Sequence, residues 1–160
     1  RRLMELRDGL AAHRGLQVIL PCQHNGACAL LQIKGKDEWC HESIPWSPPA
    51  FLRILNEGLN REISLLKFSY LVVARTRAVQ PEPAGYRVIS HLLKEKGRMR
   101  CFLCSPQGRI ELVRLNRAKS ADNARFDRIA KGSIVELKNV KMRRPDFWEV
   151  SSDTAVRLVL

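Results

Sequence analysis

The chain has 160 residues and a formal net charge of +12, and 45% of its residues are hydrophobic. A chain of this length can bury an ordinary core without disulfides, no apolar run approaches the length that spans a bilayer, and the charged N-terminus does not resemble a secretory signal. Composition therefore argues against a membrane protein and a disulfide-rich secreted protein, and it favours a reducing compartment.

Positive charge is concentrated towards the C-terminus. Residues 1–90 carry 12 basic and 8 acidic side chains, whereas residues 91–160 carry 16 and 8. Such an excess predicts a polyanionic partner whose binding weakens as salt rises. Nucleic acid is favoured over an anionic membrane because the sequence has no basic amphipathic helix with a large apolar face. The alternative is a basic surface that only keeps the protein soluble.

The first residues predict a helix followed by a strand. Leu3, Leu6 and Leu10 repeat at helical spacing, and residues 16–20 form a short apolar strand pattern that ends at Pro21. A helix that leads into a buried strand is typical of the last repeat of an α/β sheet. Because the chain begins within this helix, we expect it to be the C-terminal piece of a longer protein.

Residues 21–66 are dense in turn-forming residues and predict an irregular segment with one short helix at 51–59. Residues 68–74 (FSYLVVA) then form the strongest strand pattern in the chain, and the basic residues at both ends suggest a central strand covered on both faces. The irregular segment would be an insertion between two strands of one sheet. Residues 1–80 would form the end of that sheet.

A proline-containing linker at 80–85 marks the start of a second unit, residues 81–160. Short β segments separated by turn residues are typical of a small barrel or curled sheet. The predicted strands are 99–104, 109–115, 133–140 and 155–160, with a turn at 143–146. The predicted fold class is therefore α/β, or α+β overall, in which sheet strands with a cysteine-rich insertion precede a small basic β-barrel-like domain.

All five cysteines fall into two groups. Cys22, Cys28 and Cys40 lie in the irregular segment, and Cys101 and Cys104 follow about sixty residues later. Four thiolates suit a tetrahedral zinc ion or a four-iron cluster. The spacing of Cys101 and Cys104 resembles a zinc-ribbon knuckle, but the five residues between Cys22 and Cys28 do not fit the other half of a ribbon. Spacing therefore favours zinc and leaves the iron–sulfur cluster open.

Four short motifs, in order, resemble a known family. Residues 22–30 (CQHNGACAL) are similar to its C-P-H-D-G-x-C-P-L motif, 39–41 (WCH) to its W-C-H, and 67–72 (KFSYLV) to its strand D-E-K-F-S-Y-L-V. Residues 100–108 (RCFLCSPQG) resemble its later cysteine element. The chain therefore resembles the small-ribosomal-subunit methyltransferase-like family, which acts in assembly of the ribosomal small subunit in bacteria and mitochondria.

The resemblance implies a class I methyltransferase-like sheet interrupted by an insertion that holds a [4Fe–4S] cluster. The implied ligands are Cys22, Cys28, Cys40 and Cys104, with Cys101 as the spare or alternative. The implied partners are ribosomal RNA and the small ribosomal subunit, met by a monomer in the bacterial cytoplasm or the mitochondrial matrix. Any site for S-adenosylmethionine would lie upstream of these residues.

Two histidines flank the cysteines, and a basic series follows them. His24 and His41 could ligate zinc or donate hydrogen bonds to cluster sulfurs, or they could be turn residues that face solvent. Basic side chains around two predicted strands and the later turn predict a surface that follows RNA phosphates, with a solvated edge as the alternative. They are Arg98, Arg100, Arg109, Arg114, Arg117, Lys119, Lys141, Arg143 and Arg144.

Two expectations limit the functional interpretation. These strands lack an aromatic repeat, which favours structured RNA bound through its backbone over stacked single strands. The sequence shows no glycine-rich phosphate loop and no Ser/His/Asp arrangement, so we expect no catalysis by these residues alone. Whether the parent protein is an S-adenosylmethionine-dependent rRNA methyltransferase stays open. The leading hypothesis is a cluster-bearing, RNA-binding part of a ribosome assembly factor, and the alternative is a zinc-stabilised nucleic-acid-binding module.

Overall fold

A computed structural model of the chain describes residues 1–33, 39–75 and 85–159. Strand residues outnumber helical residues among them, so the fold is α+β. The elements in chain order are α1 (Arg2–Ala12), β1 (Leu16–Leu20), β2 (Glu42–Pro45), α2 (Ala50–Gly58), β3 (Leu65–Phe68), β4 (Val72–Arg75), β5 (Tyr86–Val88), β6 (Leu93–Glu95), β7 (Arg98–Ser105), β8 (Gly108–Leu115), β9 (Ile134–Lys138), β10 (Lys141–Arg144), β11 (Phe147–Val150) and β12 (Ala155–Val159).

The cysteine-rich residues lie between two paired strands. β1 pairs antiparallel with β4, from Leu16 opposite Arg75 to Leu20 opposite Val72. Between these strands, β2 pairs antiparallel with β3 and α2 lies in the connection. We call residues 21–71 the cysteine segment. The methyltransferase-like character of the β1–β4 sheet stays a prediction, because only these two strands of it are described.

The prediction of one continuous, doubly covered strand at 68–74 is wrong. β3 ends at Phe68 and β4 begins at Val72, so the apolar run is split between two sheets. The hydroxyl of Ser69 donates to the carbonyl of Cys40 at 2.6 Å, so the residues between the two strands are bonded to the part of the chain that carries Cys40. Val72 is 43% exposed, so neither a second sheet nor a helix covers it among the described residues.

The described residues 85–159, here called the β domain, form a curled half-barrel. Its sheet has eight strands in the order β10-β11-β8-β7-β5-β9-β12, with β6 paired to β7. The long hairpin of β7 and β8 lies at its centre, and β11 runs parallel to β8. β10 and β12 are the sheet edges, so the barrel is open. The predicted linker lies mostly outside the described residues, which resume at Gly85.

The predicted turn at 143–146 is also partly wrong. Lys141–Arg144 form the edge strand β10, which pairs with β11 through Lys141 opposite Glu149 and Met142 opposite Trp148. All four residues of β10 are exposed. A strand that lies at a sheet edge and faces solvent needs no apolar alternation, and basic side chains there discourage edge-to-edge association.

Alternation along the strands builds the core of the β domain. On β7, Cys101 and Leu103 are fully buried, whereas their neighbours on the strand are only partly buried. They pack with Leu112 of β8 and with Phe126, which lies on a short 3-10 helix (Ala124–Arg128). Successive side chains of a strand point to opposite faces, so one face of β7 supplies this core and the other faces the cysteine segment.

The two helices differ in what they contact. α1 buries Met4 and Arg7 against the cysteine segment. α2 buries none of its side chains among the described residues, and Phe51, Ile54 and Leu55 are each more than half exposed. Neither described helix combines the length and the apolar character needed to cross a membrane.

Candidate metal centre

Four cysteines from distant parts of the chain line one enclosed cavity of about 20 Å³. Cys22 and Cys28 come from the loop after β1, Cys40 comes from the residues before β2, and Cys104 comes from β7. The other walls are largely apolar and include Met4, Leu30, Tyr70, Leu71 and Ile89. We call this the thiol cavity. It lies where α1, the cysteine segment and the β domain meet.

Strand geometry separates Cys101 from Cys104. The two residues are three apart on β7, so their side chains point to opposite faces. Cys101 is fully buried in the hydrophobic core of the β domain, and Cys104 faces the thiol cavity. Burial raises the pKa of both thiols to about 12. Cys101 is thus placed as a core residue, whereas the other four cysteines share one cavity.

The thiols surround a cavity and do not converge on one point. Within the ranges that the structure describes, no three His, Cys, Asp or Glu side chains are arranged to hold a single metal ion. A tetrahedral zinc site brings every sulfur to within about 2.3 Å of the ion. The donor set of the thiol cavity is nevertheless that of a thiolate-bound metal or cluster, with four cysteines and apolar walls.

Arg7 of α1 shapes the loop that carries the first two cysteines. Its side chain is 1% exposed, donates to the carbonyl oxygens of Gly26 and His24, and forms an ion pair with Asp8 at 2.7 Å. The Asp8 carboxylate in turn accepts the backbone N–H of Cys28 at 3.0 Å. Two adjacent residues of one helix therefore hold both ends of the loop, and the apolar spacing of the helix gave no indication of this.

Two buried arginines place positive charge beside the thiols. Burial raises the pKa of Cys22, and the hydrogen-bonded guanidinium of Arg7 opposes that rise. Burial likewise raises the pKa of Cys40, and the hydrogen-bonded guanidinium of Arg87, on β5, opposes it. An N–H donor or a nearby cation favours the thiolate form, which is the form that binds metals. Each side of the cavity thus supplies a cationic donor to one sulfur.

Arg87 also joins the β domain to the cysteine segment. It forms an ion pair with Glu42 of β2 and donates to the carbonyl of Gly132 at 3.4 Å. Gly132 has φ +91°, and a Cβ built there would lie 2.8 Å from a carboxylate oxygen of Glu42. A side chain at position 132 would therefore push on the ion pair, so the glycine permits the close approach of the two parts.

The hairpin turn between β7 and β8 packs on the loop that carries Cys22 and Cys28. A Cβ built on Gly26 would lie 3.1 Å from the Cβ of Pro106 in that turn. His24 is 6% exposed, and its Nε2 lies 3.2 Å from Sγ of Cys104. Burial, and then the charge of Arg7, lower the pKa of His24, so its ring is favoured in the neutral form. His24 is therefore a hydrogen-bonding neighbour of a thiol and not a turn residue that faces solvent.

His41 lies outside the thiol cavity. Its Nε2 accepts a hydrogen bond from Nζ of Lys131 at 2.6 Å, and its Nδ1 contacts the carbonyl of Trp39 at 3.0 Å. Burial is the largest cause that lowers the pKa of His41, and the charge of Lys131 adds to it. The two histidines predicted to support the cysteines thus have different positions, one at a sulfur and one at a cleft between the two parts of the chain.

One member of the predicted RNA surface is internal. Arg114 is 1% exposed, forms an ion pair with Asp127, hydrogen-bonds Asn123 and stacks over the ring of Phe126 at 4.9 Å. A guanidinium held in this way cannot reach a phosphate without leaving its partners. Arg114 therefore belongs to the interior of the β domain, because strand β8 turns it to the inner face.

The other basic residues of the series lie at or near the surface, and most contact a carboxylate. Arg98 and Arg100 each donate to Glu95 at 2.7 Å, and Arg100 also reaches Glu111 at 3.1 Å. Exposed pairs of this kind contribute little to stability, so phosphates can replace the carboxylates. Arg109 stacks over the ring of Phe102, and Arg117 and Lys141 are exposed. The other three members form ion pairs: Lys119 with Asp127, Arg143 with Glu149 and Arg144 with Asp146.

Comparison with known proteins agrees with the family resemblance found in the motifs. The family model described as mitochondrial small ribosomal subunit Rsm22 matches residues 1–133. This span includes both cysteine groups and most of the β domain, and it confirms the resemblance to a methyltransferase-like family of the small ribosomal subunit. No curated protein and no solved structure matches the chain.

Proposed function

Because the chain belongs to the mitochondrial small ribosomal subunit Rsm22 family, we propose that it is a cluster-bearing, RNA-binding part of a methyltransferase-like factor that assembles the small ribosomal subunit. The observation that carries this proposal is the meeting of Cys22, Cys28, Cys40 and Cys104 at one enclosed cavity. These cysteines come from both parts of the chain. A group bound there would lock the cysteine segment to the β domain.

The proposed occupant is a [4Fe–4S] cluster held by those four cysteines. Iron–sulfur clusters are held by four cysteine thiolates, and this donor set carries the assignment. The cavity of about 20 Å³ holds about one water molecule, so the walls would have to move apart to admit the cluster. When bound, the cluster supplies a covalent cross-link between chain segments. Arg7, Arg87 and His24 would donate hydrogen bonds to three of the four sulfurs, which supports anionic thiolates in a buried site. Zinc held by the same thiols is the alternative.

The proposed RNA contact is the basic exterior of the β domain. Arg98, Arg100, Arg109, Arg117, Lys119, Lys141, Arg143 and Arg144 remain as candidates once Arg114 is removed. The cross-link at the thiol cavity would keep this surface in a fixed relation to the cysteine segment, so both could contact one RNA. We place the protein, as a monomer, with ribosomal RNA in the mitochondrial matrix or the bacterial cytoplasm. Catalysis, with S-adenosylmethionine bound elsewhere, is not assigned to these residues.

Metal and sulfide analysis of anaerobically purified protein tests the proposal. We expect iron and acid-labile sulfide in the wild type and loss of both in Cys22→Ser, Cys28→Ser, Cys40→Ser and Cys104→Ser. Cys101→Ala is the matched control, because Cys101 lies on the same strand as Cys104 but faces the core. If the purified protein is colourless and contains stoichiometric zinc, the bound group is zinc and the cluster assignment is wrong. Full iron content in Cys104→Ser would contradict the assigned ligand set.

RNA binding is tested separately with small-subunit rRNA fragments. Because phosphate contacts release counterions, affinity should fall steeply with salt. Replacing Lys141, Arg143 and Arg144 together by glutamine should weaken binding and reduce the salt slope by about 3, one for each lost contact. Glutamine at Arg125 and Arg128, exposed basic residues outside the predicted series, provides the control. An unchanged slope in the triple variant would show that β10 does not contact RNA.

A further inference from the structure

A second cavity lies beside the thiol cavity and opens to solvent. It is a cleft of about 620 Å³, within the range of small-molecule binding sites. The cysteine segment forms one wall and the β domain forms the other. Its chemically distinctive residues are Trp39, His41 and Lys67 from the cysteine segment, and Phe102, Arg109 and Lys131 from the β domain.

The cleft concentrates positive charge. Lys67, Arg109 and Lys131 all contribute to its lining, and none of the described residues that line it is acidic. Burial is the largest cause that lowers the pKa of Lys131, and the charge of Lys67 lowers it further. The cleft thus holds the two ammonium groups in one lining. Like charges held together in a partly desolvated cleft attract an anion.

The cleft also presents aromatic faces next to these cations. Trp39 is 44% exposed, and its ring centroid lies 5.0 Å from that of His41. On the opposite wall the guanidinium of Arg109 lies 4.4 Å from the ring centroid of Phe102. Exposed aromatic rings and guanidinium planes are the surfaces on which unpaired bases stack. An acidic peptide would use the charges but would leave these faces unused.

We infer that this cleft binds an unpaired nucleotide of RNA. The base stacks on Trp39, and Lys67 and Lys131 contact the flanking phosphates. Arg109 on Phe102 offers a second planar surface for the neighbouring base. This assignment rests on the proposed RNA-binding function and deepens it. The sequence predicted only contacts between the basic strands and the backbone of structured RNA, and the cleft adds a site for single-stranded RNA.

Two short RNAs and two tryptophan variants test the assignment in the full chain. Fluorescence anisotropy compares a 12-nucleotide single strand with a blunt-ended 12-base-pair duplex, which has no unpaired bases. Loss of one stacked base should weaken binding of the single strand about tenfold in Trp39→Leu and leave duplex binding unchanged. Trp46→Leu is the matched control, since Trp46 lies in the same segment but lines a different pocket.

A charge variant keeps the test decisive if Trp39→Leu loses iron or folded structure. Lys67→Gln lies on the exposed strand β3, so it should preserve the fold, weaken single-strand binding and reduce the salt slope by about one. Ultraviolet cross-linking followed by mass spectrometry should place the adduct on residues 39–41 or on Phe102.

The possible outcomes separate this assignment from the broader proposal. Adducts confined to residues 141–144, with Lys67→Gln and Trp39→Leu binding as the wild type, would overturn the cleft and leave the RNA-binding function standing. Failure of the wild type to bind either RNA at low salt would overturn both. Equal competition by polyglutamate would also overturn the assignment, because it would show that the cleft recognises charge without bases.

Discussion

The β domain and the cysteine segment differ in how they are stabilised. The β domain packs eleven buried residues into one core, among them Leu103, Leu112 and Phe126, whereas the buried cluster described around α1 and the cysteine segment consists of Met4, Cys28 and Leu30. Many large apolar side chains of the cysteine segment are exposed. Since apolar burial is the main favourable term in folding, the β domain has a core of its own and the cysteine segment depends on its contacts.

Ion pairs and hydrogen bonds around the thiol cavity supply several of those contacts. Arg7 and Asp8 hold the cysteine loop, Arg87 and Glu42 hold β2, and the thiols meet between them. A small core supplemented by a bound metal or cluster is a common solution where apolar burial is insufficient. On the function proposed above, the candidate metal centre would therefore also be the main structural support of the N-terminal part.

Removal of the proposed cluster should have the largest effect. Chelation of iron after exposure to oxygen should abolish amide protection in the cysteine segment and leave protection in β7, β8 and β9 nearly unchanged, because the β domain keeps its core. Hydrogen exchange with mass spectrometry measures both in one experiment. Untreated wild-type protein kept without oxygen serves as the control. Simultaneous loss of protection in both parts would show that they fold as one unit.

Arg7→Met should be the next most damaging change. It keeps the length of the side chain but removes the charge of a partly buried ion pair and leaves the carbonyls of His24 and Gly26 without their donor. A buried acceptor left without its donor costs about 1–3 kcal/mol. Urea unfolding of the variant should show this loss, whereas Arg2→Met on the exposed side of α1 should change little. Equal stability of the two variants would contradict the role given to Arg7.

Gly132→Ala should have a smaller effect that reports on docking of the two parts. Alanine there meets both a positive φ and the carboxylate of Glu42, whereas Gly97 has φ +79° with no atom near its built Cβ. Backbone strain of about 1–3 kcal/mol is common to both substitutions, so the difference between Gly132→Ala and Gly97→Ala isolates the contact. Thermal unfolding should rank Gly132→Ala as less stable. Identical melting temperatures would mean that the contact with Glu42 adjusts freely.

Asp127→Asn should give the smallest effect, a loss of stability that is present at neutral pH and disappears in acid. Hydrogen bonds from Lys119, and then from Arg114, lower the pKa of its carboxyl below the ordinary value of 3.8. A depressed carboxyl pKa stabilises the fold above the pKa of the unfolded state, and this contribution is lost as pH falls through the folded pKa. Asp127→Asn should therefore flatten the stability curve of the β domain below about pH 4, compared with exposed Asp122→Asn. If the pH dependence of stability is the same in Asp127→Asn as in the wild type, the Asp127 carboxyl has the same pKa in the folded and unfolded states.

Local patterning was sufficient for some elements and not for others. The central hairpin was predicted at 99–104 and 109–115 and is observed as Arg98–Ser105 and Gly108–Leu115, because alternation and a Pro-Gln-Gly turn act locally. The apolar run at 68–74 led to a wrong prediction of one strand. A run without clear periodicity does not show where one strand ends and a second strand, paired with a different partner, begins. β10 escaped notice because an exposed basic edge strand carries no apolar pattern.

The amino-acid sequence by itself determined the family, the curled β domain and the set of cysteines, since motif spacing and strand alternation are properties of neighbouring residues. The family resemblance already implied Cys104 ahead of Cys101, and the structure places Cys104 at the thiol cavity. Only the tertiary structure decided that Arg7 and Arg87 stand beside the thiols and that Arg114 is internal. Alternation places two residues on opposite faces but does not say what covers each face. A buried charge depends on partners distant in the chain, and those are set by packing.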